Sequence, residues 1–372
     1  MSSHLAENNR ILSLDVFRGL TMALMVLVNS LGTRVSYPIL THAEWNGCSL
    51  ADLVFPGFLF IVGITTVISL KKHKDMESKA QLYRSILTRT FLLIFFGLLL
   101  NVFPNKLNLS TIRYYGILQR IGVCYFICSL LYLHTSVRAQ ILTFLGILIG
   151  YWFLLTQIPV PGAEADPLSI AKNWVAYIDS QIFSSGHLFN KTYDPEGFLS
   201  TIPAIATTIS GLLTGHFLLT PISKQKKSAI LIAMGLLFLL LAWIWSYNFP
   251  INKNLWTSTF VLWSSGFSLI VFGLCFFVID VLGYKKWSIP FKIFGMNALF
   301  IFIFHAILLK IQSMFVLPLP DGSQDVVRVA IAEYLFGNFS LENAGLFYSI
   351  LFLLFNFLVA AFLYRRKIFI KI

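Results

Sequence analysis

The sequence predicts an all-α integral membrane protein of about ten transmembrane helices in one bundle, with both termini on the cytoplasmic side. Three observations predict it. Hydrophobic residues make up 57% of the 372 and charged residues only 12%, where a soluble domain carries about 25% charged residues. The apolar residues are gathered into stretches of about 20, long enough to cross the hydrocarbon layer as helices. The segments between them alternate between basic and cation-poor, as the positive-inside rule requires. A soluble core could not hide this much apolar surface, and the 36 phenylalanines suit helix faces turned to lipid.

In chain order the spans read as roughly 13–33, 50–70, 84–104, 113–133, 139–157, 198–220, 228–248, 256–281, 291–316 and 344–364. The fifth is short and closely coupled to the fourth. The first follows a polar start, MSSHLAENNR, with no small-residue cleavage site after it, and reads as an uncleaved anchor. The basic connections are KKHKDMESKAQLYR, HTSVR, PISKQKK, GYKKW and the tail YRRKIFIKI. They are assigned to the cytoplasm, and Arg10 agrees. The other set, 34–49, 105–112, 158–197, 249–255 and 317–343, faces outward, and 34–49, 158–197 and 317–343 are the outer loops of a single domain covering 1–372. Trp45, Trp174 and Trp256 fall near the outer interface, where amphipathic rings settle. No span reads as a clearly broken helix with paired Gly/Pro interruptions.

The net charge of +12 follows from this topology. No basic run with interleaved aromatics supports a nucleic-acid partner. The four cysteines, Cys48, Cys124, Cys128 and Cys275, have no metal-ligand spacing, and no metal is expected.

Polar groups inside a span cost about 2.5–3.5 kcal/mol each on insertion scales and usually mark function. The first span, SLDVFRGLTMALMVLVNSLG, places Asp15, Arg18, Met22, Met25 and Asn29 on one helix face. Arg18 and Asn29 are about 16 Å apart along the axis. The stripe runs from a cation to an amide, although Asp15 and Arg18 could equally be a local interfacial pair. The outer segment THAEWNGCSLADLVFPGFLFIVG carries His42, Trp45, Asn46 and Cys48, and puts Asp52 in the first turn of the second span. His42 is a candidate general base. Asp52 either orients it or balances the helix dipole. Gln119 and Arg120 lie about two turns into the fourth span, so Arg120 needs a polar cavity or an acidic partner. Asp194 and Glu196 precede the sixth helix, Asn254 the eighth, and Asn297 and His305 lie inside the ninth.

The blocks SLDVFRGLTMALMVLVN, HAEWNGCSLADLVFPGFLFIVG, GILQRIGVCYF, DPEGFLSTIPAI, KNLWTSTFVLWSSGF and GMNALFIFIFHA, in this order, resemble the heparan-alpha-glucosaminide N-acetyltransferase family. The resemblance implies an acetyl-CoA-dependent acyltransferase in which acetyl passes from cytosolic acetyl-CoA to the amine of a glucosamine-type sugar or glycan across the bilayer. It maps the proposed catalytic histidine to His42 and an implicated asparagine to Asn29, and it suggests a homodimer. The lysosomal enzymes add a lumenal domain and a preceding span that this sequence does not display. The expected setting is therefore a bacterial inner membrane, multi-pass, with His42 near the periplasmic side.

Together the two readings assign His42, Asn29 and Asp52 to catalysis. Arg18, Arg120, Gln119 and Asn297 are assigned to the co-substrate acetyl-CoA. Trp45, Asn46, Asp194, Glu196, Asn254 and His305 are assigned to the acceptor, with the two acids attracting a cationic amino sugar. The rival class is a secondary transporter or exporter of a small polar or amphiphilic solute.

Overall fold

The computed structural model describes residues 11–74, 78–104, 108, 110–162, 167–319 and 322–370. Arg10 and the last two residues of the basic tail lie outside the described residues. The helices in chain order are α1 (Leu12–Asn29), α2 (Leu50–Lys74), α3 (Lys79–Val102), α4 (Ile117–His134), α5 (Val137–Gln157), α6 (Trp174–Ile182) and α7 (Phe198–Leu218). They continue with α8 (Lys224–Ser246), α9 (Ser258–Phe276), α10 (Ile289–Met296), α11 (Ala298–Met314), α12 (Val327–Phe336) and α13 (Leu341–Arg365). A small antiparallel pair, β1 (Val316–Pro318) with β2 (Gln324–Val326), registers Leu317 against Asp325.

Among the described residues nine helices are long and apolar enough to cross a membrane, and the pair α10–α11 makes ten if counted as one bent span. The chain is thus a multi-pass, all-α membrane protein. Burial sorts the spans into layers. The hydrophobic window of α7 is 78% buried and that of α3 only 17%; α1, α2, α7 and α9 form the inside, and α3, α5, α8 and α13 cover it. The inner helices carry hydroxyls as well as apolar groups. Thr208, Thr214, Ser264 and Ser268 each donate to the carbonyl four residues earlier, so burying them leaves no donor unsatisfied.

Three expectations need correction. The ninth span is not one helix: α10 and α11 meet at Asn297 with a bend of 71°. Asn297 leaves helical geometry (φ −125°, ψ 33°), and its side chain bonds to other backbone instead. Just before the break, α10 lies against α1 with no side chain between them. A Cβ on Gly19 would sit 1.7 Å from the Phe291 carbonyl oxygen, and one on Gly295 would sit 2.1 Å from that of Asp15.

The fourth span begins later than expected, at Ile117. Gly116, at φ 162° and ψ 173°, still has extended backbone, so Arg120 falls in the first turn. Trp256 is not at a lipid interface. It is fully buried, with its Nε1–H donating to Thr207 Oγ1 at 3.1 Å. The outer loops are also more ordered than their composition implies: α6 lies in 158–197, and the β pair with α12 lies in 317–343.

Candidate functional site

One apolar cluster sets the positions of the polar residues at the end of the bundle that carries the long loops. Met25, Val28, Leu40, Ala51 and Val54 pack together with Ile117 and Phe302. Asn29 follows Val28, His42 is two residues after Leu40, Asp52 follows Ala51, and His305 is three after Phe302. Four chemistry-bearing side chains from α1, the first loop, α2 and α11 are thereby gathered around one apolar centre.

His42 Nδ1 lies 2.7 Å from Asp52 Oδ1. A carboxylate oxygen there accepts, so Nδ1 carries the proton and Nε2 presents its lone pair. Asp52 is 1% exposed while His42 keeps 53% of its side chain accessible. The carboxylate is held from all sides. Oδ2 accepts from Ala43 N–H (3.1 Å), Ser49 N–H (3.0 Å) and Ser49 Oγ (3.1 Å), and Oδ1 also takes the Lys253 ammonium at 3.2 Å. Lys253 Nζ is 3.1 Å from His42 Nδ1, but that nitrogen's proton is already directed at Asp52, so the lysine's bond goes to the carboxylate.

Sequence reasoning did not find Lys253. It reaches His42 because the loop before α9 is stitched to the loop before α2. Gly47 N–H donates to Ile251 O at 2.7 Å, Gly47 and Asn252 form a β-bridge, and Asn252 Nδ2 donates to Asn46 Oδ1 at 3.1 Å. Gly47 sits at φ 107°, a conformation that disfavours any side chain. One of the expected acceptor residues is thus part of the scaffold, Asn46 through its bond to Asn252; Asn254, next to Lys253 in the chain, is half-buried. Trp45 donates to Leu168 O at 3.0 Å and meets Tyr193 edge-on at 5.4 Å, anchoring the 158–197 loop. The Cys48 thiol is pushed up to about 12 by burial, with the Asp52 charge adding to it, and is no nucleophile near neutral pH.

Asn29 meets a partner in α11. Its Nδ2 is 3.4 Å from His305 Nε2. His305 is buried, and its Nδ1 lies 3.0 Å from Ile301 O. That carbonyl only accepts, so Nδ1 holds the proton and Nε2 accepts from the amide of Asn29.

A cavity of about 320 Å³ lies inside the bundle, and Arg18, Met22 and Met25 line it together. Arg89, Ser69, Ile117, Met296, Phe302 and Ile370 are among the other walls. At one end Arg18 lies 3.5 Å from both Asp15 Oδ1 and Gly295 O. At the other, Met25 is one helical turn before Asn29, and Phe302 contacts the His305 ring at 5.5 Å. Beside Arg89 and Ser69 opens a second, more polar pocket of about 510 Å³, containing Arg84, Gln81 and Thr88. Neither was a sequence candidate: Arg84 closes the basic connection KKHKDMESKAQLYR, and Arg89 falls inside the third span, 84–104.

Gln119 and Arg120 do not line this cavity. Gln119 packs its amide against Gly97 and Gly116. Arg120 is buried, donates to Gly197 O (3.1 Å) and Ser200 Oγ (2.5 Å), and stacks 4.9 Å over Trp256. Asn297 borders the cavity through its neighbours Met296 and Ala298 while its own amide binds the carboxy-terminal segment.

Asp194 and Glu196 are both bound by Arg113. Arg113 Nε donates to Asp194 Oδ2 at 2.7 Å, Nη2 donates to Oδ1 at 2.5 Å, and Nη2 also donates to Glu196. Burial works against the Arg113 charge, and the two carboxylates more than offset it, raising its pKa. Beneath them Asp179 is fully buried and accepts from Asp194 N–H (3.3 Å) and Phe198 N–H (2.9 Å). Burial lifts its carboxyl to about 6 despite those bonds.

Among the described residues no group of three or more His, Cys, Asp or Glu side chains could hold a metal ion.

Fold and site define a multi-pass helical membrane protein with a histidine–carboxylate pair at one end and a cation-rimmed cavity running into the bundle from the other. The family follows from comparison. The family model described as "Heparan-alpha-glucosaminide N-acetyltransferase, catalytic" matches residues 10–251, and the chain belongs to that family. Curated relatives include heparan-alpha-glucosaminide N-acetyltransferase of Mus musculus, 32% identical over 360 residues, covering 81% of this chain and 54% of the mouse protein. The Homo sapiens protein of the same name is 32% identical over 356 residues, covering 80% and 53%. The chain spans about half the length of the curated relatives it matches.

Proposed function

We propose that this protein is a transmembrane N-acetyltransferase. It takes acetyl from acetyl-CoA on the cytoplasmic side and delivers it to the amine of a glucosamine-type sugar on the other. The observation that carries the reading is that Arg18, Met22 and Met25 line one and the same cavity. Its cationic end suits CoA phosphates, and its apolar length points along α1 towards Asn29.

Arg18 and Arg89 bind the phosphates, with Arg84 in the adjoining pocket. The pantetheine arm lies along Met22, Met25 and Ile121. About 16 Å of helix separates Arg18 from Asn29, comparable to that arm, so the thioester reaches the far end while CoA stays on its own side. Asn29, its amide oriented by His305, donates to the thioester oxygen as negative charge develops there. His42 Nε2 removes a proton from the sugar ammonium, and the freed amine attacks the carbonyl carbon. A C–N bond forms and the C–S bond breaks; the second proton released by the nitrogen passes to the departing sulfur, so CoA leaves as the thiol and His42 returns its proton to solvent. In a two-step variant the imidazole itself carries the acetyl group between donor and amine. The basic connections at the Arg89 end support the cytoplasmic assignment of that end, and a bacterial inner membrane fits the same orientation.

The bend at Asn297 is the observation that favours a transporter, since discontinuous helices line many transport sites. Purified protein in detergent, given acetyl-CoA and glucosamine, separates the two readings. Release of free CoA with formation of the amide supports the acyltransferase. No donor binding, together with solute flux across vesicles, replaces it with the transporter.

A further inference from the structure

After α13 the chain reverses. Lys367 adopts φ 56°, Ile368 N–H donates to Leu363 O at 2.9 Å, and residues 368–370 run back as an extended strap. Asn297, fully buried at the helix break, holds the strap at two points. Its Nδ2 donates to Ile368 O at 3.0 Å, and its Oδ1 accepts from Ile370 N–H at 2.9 Å. In extended backbone the groups of residues two apart point to the same side, so one carboxamide satisfies both.

The consequence is a wall. Ile370 joins Arg18, Met296 and Ala298 in lining the cavity, and it keeps 42% of its surface accessible. That open isoleucine surface is available to an apolar group occupying the cavity. Just ahead of the strap, Arg365, Arg366 and Lys367 are all exposed, so fixing the strap also fixes three cations next to a wall of the cavity.

We propose that the 368–370 strap is a wall of the acyl-CoA site and that Asn297 is a positioning residue that keeps it there. The donor touches Ile370 and not Asn297. The apolar arm of a nucleotide thioester lies against Ile370, and the cations ahead of the strap face its phosphates. This rests on the acyltransferase reading and adds to it a segment that lies far from the matched residues 10–251.

The test uses the full chain in detergent with CoA as the probe. Binding is followed by calorimetry, and hydrogen exchange is followed over the carboxy-terminal peptide. CoA is expected to slow exchange at Ile370. Ile370→Asp, at an exposed position that does not threaten folding, is expected to weaken CoA binding about tenfold, the loss of one good apolar contact. Asn297→Ala is expected to abolish the protection, with the KM for the donor rising and that for the acceptor unchanged. CoA binding to both variants as to the wild type, with exchange at the strap unaltered, overturns the proposal and leaves the donor reading standing. Failure of the wild-type protein to bind CoA overturns the donor reading and the strap's role together.

Discussion

His42 takes its chemical character from side chains outside its own segment. Asp52 fixes its Nδ1–H, and Lys253, 211 residues away in the chain, shares the same carboxylate oxygen. On the proposed mechanism, with Nε2 as the base, His42→Ala should reduce turnover by about 10²–10⁴-fold, the usual contribution of a general base. Donor binding should remain, and calorimetry with CoA checks it. Turnover close to wild type would remove His42 from the mechanism. Cys48 provides a control at the same site. Its thiol ionises only near 12, so thiolate is scarce at neutral pH and grows only as pH approaches that value. Iodoacetamide at pH 8 should leave Cys48 unlabelled by mass spectrometry, and Cys48→Ser should retain activity. Fast labelling at that pH would contradict the burial of this thiol.

At the scale of elements, the loop between α5 and α7 is held by buried charge. Arg113→Gln leaves Asp194, which is fully buried, and Glu196 without their cation. Breaking such a pair costs about 3–5 kcal/mol. The expected result is a lowered melting temperature in detergent and faster hydrogen exchange over 174–197. Asp179 gives the same loop a pH dependence whose sign is determined. Burial raises its folded value to about 6 from 3.8, so the folded loop binds the proton more tightly than the unfolded one. Its contribution to stability is complete below 3.8 and is lost as pH rises through about 6. Exchange over 174–197, corrected for intrinsic rates, should quicken between pH 4 and 7. Asp179→Asn should flatten that change. The contact between α1 and α10 admits no side chain, so Gly19→Ala should cost about 1–3 kcal/mol through forced backbone shifts and displace Arg18 with it. A thermal melt identical to the wild type would show that α10 can move away without cost.

At the scale of the molecule, the proposed acyltransferase function puts donor and acceptor at ends separated by the length of α1, so it requires variants to divide into two phenotypes. Arg89→Gln, at the cavity's cationic end, should raise the KM for acetyl-CoA about tenfold, the cost of one charge-assisted bond, and leave the KM for the amine unchanged. Lys253→Met should differ: the KM for acetyl-CoA is kept, and kcat/KM for the amine falls as Asp52 loses one of its donors. If both variants altered the two constants alike, the separation of ends would be wrong.

The spans were legible because burial in lipid demands long apolar runs, and the layers of the bundle do not alter that demand. The face carrying Arg18, Met22 and Met25 was legible because helical periodicity is local. His42 and Asp52 were within reach because they stand only ten residues apart, in one loop and the first turn of the helix that follows it. The break at Asn297 was not, because the apolar pattern continues across it and no proline marks it. The acids Asp194 and Glu196 were legible but their cation was not, since Arg113 stands 81 residues before Asp194.

By itself the sequence determined that this is a helical membrane protein, which residues share the α1 face, and which family it belongs to. All of these rest on local composition, periodicity and ordered blocks. The tertiary structure alone decided that Lys253 meets His42, that His305 meets Asn29, that Asp194 and Glu196 are already paired, and that the carboxy-terminal strap closes a wall of the cavity. Each of these is a contact between segments distant in the chain, set by how helices pack and where loops are stitched, and no local pattern encodes the partner.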